Sequence, residues 1–330
     1  MEPGSAAPET AELVRAGGVH VPALLRRIEE RLREDAAVHA GDLAEHGGAT
    51  IAAGGKRLRP LLVLLAGGPP GTADHEDALV CAGAAVELVH SATLVHDDVL
   101  DAAALRRGRP TVVALAGRDM AVATGDALFA RAFAALTAHG DPEAVRVLSG
   151  ACSALARGEL LQRAAAWDPG IAVDRYLLRC ELKTARLFEA ACRLGPLATG
   201  DRELRLESFA RRIGLGFQIL DDVLDVSGPA ERTGKHRGTD LLDGTVTLPL
   251  ILARERDAAL AQVDLRAVTT PARAEDLCDR IAATGALDAA RERALAFVAD
   301  AKRDLDIAAL GRARADALAL VADSVVARYR

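Results

Sequence analysis

Two pentapeptides of this sequence are identical, Asp97-Asp98-Val99-Leu100-Asp101 and Asp221-Asp222-Val223-Leu224-Asp225, and each closes an apolar stretch of helical spacing. On a helix, positions i and i+4 share a face, so Asp97 stacks over Asp101 and Asp221 over Asp225. Seven places back, the same geometry puts His90 beneath Asp97 and Gln218 beneath Asp225. Carboxylates clustered at a helix C-terminus repel one another and oppose the helix dipole. That arrangement costs stability and calls for an offsetting positive charge. A solvated acidic patch does not account for the same pentapeptide occurring twice on apolar helices. Hard oxygen donors suit Mg2+, which keeps part of its water shell and bridges carboxylates to phosphate oxygens.

An ion of that kind implies cationic side chains reaching for the same phosphates. Gly-flanked clusters supply them: Gly54-Gly55-Lys56-Arg57-Leu58-Arg59-Pro60, Arg106-Arg107-Gly108, and Gly234-Lys235-His236-Arg237-Gly238, with Lys183-Thr184 standing apart. Glycine lets backbone amides approach an anion, and arginine offers two-pronged donation to phosphate oxygens.

The elements that must position these groups are helices. Proline recurs at helix-length intervals, the segments between are rich in Ala, Leu, Arg and Glu, and no useful window alternates with period two. Residues 76–101 are apolar nearly all round, as in the buried centre of a bundle, whereas 287–329 mix apolar and charged residues as an outer layer does. Loop signals fall at 67–73, 166–170 and 227–244. Without a repeat or a low-complexity linker, the 330 residues read as one domain over 11–330 after a disordered tail over 1–10.

Composition excludes several classes. A net charge of -6 argues against a nucleic-acid partner. No uninterrupted apolar run reaches the roughly 18 residues of a transmembrane helix, and the first ten residues lack the basic start and apolar run of a signal peptide. Five scattered cysteines without a CxxC pair suggest free thiols in a reducing, cytoplasmic setting. With only 3% aromatic residues, a pocket must be walled mainly by Ala, Val and Leu.

In order along the chain stand GGKRLRP (54–60), HSATLVHDDVLD (90–101), RRGRPT (106–111), ATGDALFARAF (123–133), GELLQ (158–162), KTARLF (183–188), GLGFQILDDVLD (214–225) and GKHRGTDLLDGTVTLP (234–249). This series resembles the trans-isoprenyl diphosphate synthases of the polyprenyl synthetase family, long-chain type. The resemblance implies an all-α, single-domain bundle of the isoprenoid synthase type with a central substrate cavity, and a cytoplasmic homodimer. It implies that Asp97, Asp98, Asp101, Asp221, Asp222 and Asp225 hold Mg2+ against the diphosphate of an allylic substrate. Lys56, Arg59, His90 and Arg107 match residues that bind the diphosphate of isopentenyl diphosphate. Arg106, Lys183, Thr184, Gln218 and Lys235 match those around the allylic diphosphate and the nascent cation. One departure is Thr245, where a second Lys often stands; its absence is expected to loosen the hold on the allylic diphosphate or on the 227–244 loop.

The implied reaction is ionisation, condensation and elimination, giving an all-trans polyprenyl diphosphate. A class I terpene cyclase has no second diphosphate substrate, and retention of Lys56, Arg59, His90 and Arg107 argues against it. A non-catalytic subunit of a two-component synthase is free to lose carboxylates, yet both acidic motifs are whole. The growing chain is expected to run down the helix bearing Asp97, past Thr93, Ala92, Val89 and Ala85, with Phe129 and Phe133 as a floor. Small residues at 92 and 93 favour a product longer than C20, with geranylgeranyl diphosphate as the alternative.

Overall fold

Ala- and Leu-rich segments bounded by caps and glycines fold as expected, into an all-α structure. The computed structural model describes residues 8–39, 41–106, 108–227 with Gly228, 237–327 and Tyr329. Its chain forms two compact units: residues 1–152, 187–207 and 305–321 in the first, and 153–186, 208–304 and 322–330 in the second. The expected terminal tail lies outside the described residues up to position 7, and helix α1 (Pro8–Ala16) begins inside its range.

In the first unit α2 (Val21–Ala36), α3 (Asp42–Ala52), α4 (Leu58–Gly67), α5 (Ala73–Leu100) and α6 (Val112–His139) follow in order. α5 is the core element, packed against α2, α4 and α6. Its start is fixed by Thr72, whose side chain accepts the His75 N–H, and α6 starts likewise at Thr111 with the Ala114 N–H. Between α5 and α6 the chain makes a small hairpin, β1 (Leu105–Arg106) paired antiparallel with β2 (Arg109–Pro110). These are the only strands among the described residues.

Neither helix holds an uninterrupted apolar run of spanning length, yet by length and average composition alone α5 and α6 are both long and apolar enough to cross a membrane. Averaged over a helix, hydropathy tolerates the few polar residues that interrupt a continuous run. In α5, 78% of the apolar window is buried, which fits a core helix, against 39% in α6.

α7 (Pro142–Ala164) enters the second unit at Ser153. There follow α8 (Val173–Cys180) and a single π-helical turn, Glu181–Ala185. α9 (Arg186–Ala198) belongs to the first unit from Leu187 and contains Pro196, so not every proline marks a helix boundary. α10 (Glu207–Ser227) carries the second acidic motif. Of the expected loop at 227–244, residues 229–236 lie outside the described residues, and Thr239–Leu242 form a short helix. The outer layer expected at 287–329 is Ala286–Arg303, Ile307–Leu310 and Arg312–Ala327. All five cysteines are free, and burial pushes the Cys180 thiol up to about 12.

Candidate active site

In the first unit, Asp97, Asp98 and Asp101 occupy the end of α5, where the Asp101 N–H donates to the Asp97 carbonyl at 2.8 Å. The three carboxylates are not equivalent. Asp98 is buried and takes both Nε and Nη2 of Arg106, at 2.8 and 2.7 Å on one oxygen. The hairpin thus delivers the charge that offsets the acidic helix end. Asp97 and Asp101 are half-buried.

A cavity of about 270 Å³ in this unit is lined by His90, Asp98 and Arg106 together with Gly54, Arg57 and Glu87. Arg57 belongs to the basic turn but serves as its anchor. It binds Glu29 at 2.5 Å, Glu87 at 2.8 Å and the Ile51 carbonyl at 2.9 Å. Lys56 is exposed, and the Arg59 guanidinium sits 4.9 Å above the Phe188 ring; neither lines the cavity. Arg107 lies outside the described residues, as does Lys235.

In the second unit a chain of hydrogen bonds joins three of the sequence-predicted residues, Thr184, Gln218 and Asp222. Asp222 is buried and accepts from the Tyr176 hydroxyl at 2.6 Å and from Gln218 Nε2 at 2.8 Å. The Gln218 carbonyl in turn accepts from Thr184 Oγ1 at 2.6 Å. Gln218 therefore serves Asp222, four places on, and not Asp225 as the seven-residue count expects. The nearer carboxylate is buried and needs donors. Lys183 Nζ pairs with Glu159 at 2.5 Å, with Gln162 at 3.4 Å.

Lys183 and Thr184 lie in the π turn, a local widening that often marks functional positions. Glycines clamp that turn. A Cβ on Gly158 would be 2.6 Å from the Lys183 nitrogen, and one on Gly214 2.6 Å from the Ala185 Cα.

Burial, tempered by the Tyr176 hydrogen bond and the nearby Arg179 charge, pushes the Asp222 carboxyl up to about 6. Asp240 is driven well above the usual carboxylate range by burial and by Asp225 and Asp222. Its N–H reaches Asp225 Oδ2 at 3.3 Å, while Asp221 is exposed and accepts from the Tyr329 hydroxyl at 3.2 Å.

The family model for polyprenyl synthetase matches residues 42–282. The chain belongs to that family. It is 41% identical over 242 residues to heptaprenyl diphosphate synthase component 2 of Geobacillus stearothermophilus, covering 72% of this chain and 75% of the relative. The crystal structure of a polyprenyl synthase from Caulobacter crescentus CB15, complexed with calcium and isoprenyl diphosphate, matches with a TM-score of 0.83. The identity is 33%, over 100% of this chain and 99% of that one. A decaprenyl diphosphate synthase from Rhodobacter capsulatus matches with a TM-score of 0.84 and 31% identity over 97% and 99% of the two chains.

As a donor set, this polyprenyl synthetase's acids fit a hard divalent ion. Among the described residues no three His, Cys, Asp or Glu side chains surround one ion-sized point. Mg2+ needs only one or two carboxylates when waters and substrate phosphates complete its shell. Residues that sequence reasoning left without a role are Tyr176, Arg179, Glu159, Gln162 and Asp240. Glu159 and Gln162 stand inside the GELLQ motif, so their position was signalled. Tyr176 was signalled only by being one of two tyrosines, seven places before Lys183.

Proposed function

We propose that this prenyltransferase condenses isopentenyl diphosphate head-to-tail with an allylic diphosphate, in the presence of Mg2+, to give an all-trans polyprenyl diphosphate longer than C20. The observation that carries the reading is the hydrogen-bonded chain Thr184–Gln218–Asp222–Tyr176 beside Lys183 in a unit that also carries the second DDVLD motif. Asp97 and Asp101, with Asp221 and Asp225, are the proposed metal ligands; Asp98 and Asp222 act one step behind them, through Arg106 and Gln218.

When bound, Mg2+ neutralises the charge that grows on the leaving diphosphate. Lys183 adds a point charge for that diphosphate, held by Glu159 until substrate arrives. The Thr184 hydroxyl, its proton committed to Gln218, presents oxygen lone pairs to the allylic cation. Lys56, Arg59, His90 and Arg107 bind the diphosphate of isopentenyl diphosphate, and Arg106 and Lys235 that of the allylic partner. The apolar walls exclude water, which would otherwise capture the cation. The alkene attacks, and the proton then lost passes to the released diphosphate.

The small, half-buried Thr93 one turn before Asp97 and the heptaprenyl and decaprenyl relatives support the long product. Beyond the kink at Gly117, Val122, Ala130 and Ala134 of α6 are exposed on one side, which supports a homodimer. Free cysteines support a cytoplasmic location. Incubation of the purified chain with Mg2+, isopentenyl diphosphate and each allylic primer, followed by sizing of the products, tests the reading. Because the Geobacillus relative is named a component, a second reading is a catalytic subunit that needs a partner. Absence of product from the chain alone, restored by a second subunit, would decide for it.

A further inference from the structure

Trp167, the only tryptophan of the chain, follows α7 with a φ of +65°, a conformation rare and strained for a bulky residue. What holds it there is Gly244. The Trp167 N–H donates to the Gly244 carbonyl at 2.8 Å, and a Cβ on Gly244 would lie 2.3 Å from Cδ2 and Cε2 of the indole. Gly244 has a φ of +73°, so the ring rests on a position where no side chain fits.

The segment so covered reaches the second acidic motif. The Gly238 N–H donates to the Asp225 carbonyl at 2.9 Å and the Asp240 N–H to Asp225 Oδ2 at 3.3 Å. At its other end the Thr245 N–H closes onto the Asp240 carbonyl at 2.8 Å, and Arg179 donates to the Val246 carbonyl at 2.8 Å. Asp240 is therefore fixed from Asp225 on one side and from the Trp167–Gly244 contact on the other. Thr245, next to that contact, offers no charge to a diphosphate.

We propose that Trp167 is a positioning residue for the reaction: by lying on Gly244 it holds the 238–245 turn, and with it Asp240, against Asp225, and so sets how firmly the second acidic motif retains an Mg2+-diphosphate. The inference rests on the prenyltransferase reading above. It assigns to packing a task that a charge at position 245 would otherwise share.

The single tryptophan makes the contact directly observable. Titrating the wild-type protein with Mg2+ and inorganic pyrophosphate together changes Trp167 emission, whereas either alone changes it less. In steady-state assays Trp167→Ala raises the KM for the allylic diphosphate and lowers kcat by about tenfold, since small misplacements near a reacting centre are costly. The KM for isopentenyl diphosphate and the thermal midpoint stay at wild-type values. Trp167→Phe, which keeps a ring over Gly244, restores most of the loss. Gly244→Ala reproduces the kinetic part of the Trp167→Ala signature, with a lowered thermal midpoint because a side chain at a φ of +73° is strained and meets the indole. The double variant is kinetically no worse than Gly244→Ala alone, as one shared contact requires. Wild-type kinetics in Trp167→Ala, equal rises in both KM values with a lowered thermal midpoint, or unaltered emission at saturating Mg2+ and pyrophosphate would overturn the proposal. A wild-type chain inactive with every primer would instead overturn the prenyltransferase reading, and the emission titration still judges Trp167 by itself.

Discussion

Gly158 lies against the backbone of Lys183: a Cβ there would come within 2.6 Å of the Lys183 nitrogen and 2.9 Å of its Cα. These atoms belong to the π turn that displays Lys183 and Thr184, and backbone cannot swing aside as the end of a flexible side chain can. Gly158→Ala must therefore push the turn away from α7 or bend α7 itself. The expected outcome is a fall in kcat of roughly 10- to 100-fold with far-ultraviolet helicity kept. Wild-type kcat in this variant would show that the turn's position does not matter for turnover.

The two DDVLD motifs also contain unequal members. Asp98 is neutralised by Arg106, while Asp97 and Asp101 keep half-buried carboxylates at the helix end. Asp101→Asn should lower kcat on the order of a thousandfold, the size seen when a key electrostatic stabiliser is removed. Asp98→Asn should cost about 10- to 100-fold, as loss of a supporting partner does, and should show mainly in the KM for the allylic diphosphate. Measuring both variants across a Mg2+ titration separates the roles. Equal losses with equal Mg2+ demand would mean that both are direct ligands.

Asp222 gives a pH signature to the metal-free protein. Its carboxyl is raised by burial from the ordinary aspartate value of about 4 to about 6, so between those values the folded state holds more proton than the unfolded one. Stability contributed by this group accordingly falls as pH rises from about 4 to about 6 and levels off above. Asp240 shifts in the same direction, so it leaves a residual slope of the same sign. Thermal midpoints measured in chelator from pH 4 to pH 7 should drop less steeply in Asp222→Asn than in wild type. Parallel curves for the two proteins would contradict an Asp222 kept partly neutral by burial.

Those carboxylates also mark how far the sequence could be read. Residues 97–101 and 221–225 advertise themselves by type and spacing, and a helix needs only local information to form. The division of labour within each motif depends on groups far off in the chain. Arg106 arrives by way of a hairpin too short to show period-two alternation, and Tyr176 reaches Asp222 from 46 residues away. The π turn leaves no compositional trace, because Glu181–Ala185 would read equally well as α-helix. Glycines 158 and 214 were visible as motif members, but their purpose is the close approach of a second backbone, which only the packed structure displays. The strained Trp167 is likewise a tertiary fact, since nothing in an AWDPG loop signal specifies a left-handed tryptophan.

Product length is where packing most alters the sequence expectation. Ala92, Val89 and Ala85 are each 0% exposed, so these small residues are already enclosed by the first unit. A ring at position 92 would overpack a close-packed interior, at a cost of about 1–3 kcal/mol. Thr93, by contrast, is half-buried, and its hydroxyl turns back to the His90 carbonyl at 2.7 Å. It lies four places before Asp97 and therefore on the same helix face as the proposed metal ligands at that end. Phe129 stands beside His96, with ring centroids 5.7 Å apart, which puts it level with the acidic motif, and Phe133 follows one turn further along α6. Thr93→Phe is thus the substitution that meets the growing chain. With isopentenyl diphosphate and an allylic primer, wild type should give products longer than C20 and Thr93→Phe a shorter distribution, while Ala92→Phe should mainly lower the thermal midpoint. A wild-type product ending at C15, or a folded Thr93→Phe with an unchanged distribution, would refute the path along this face of α5.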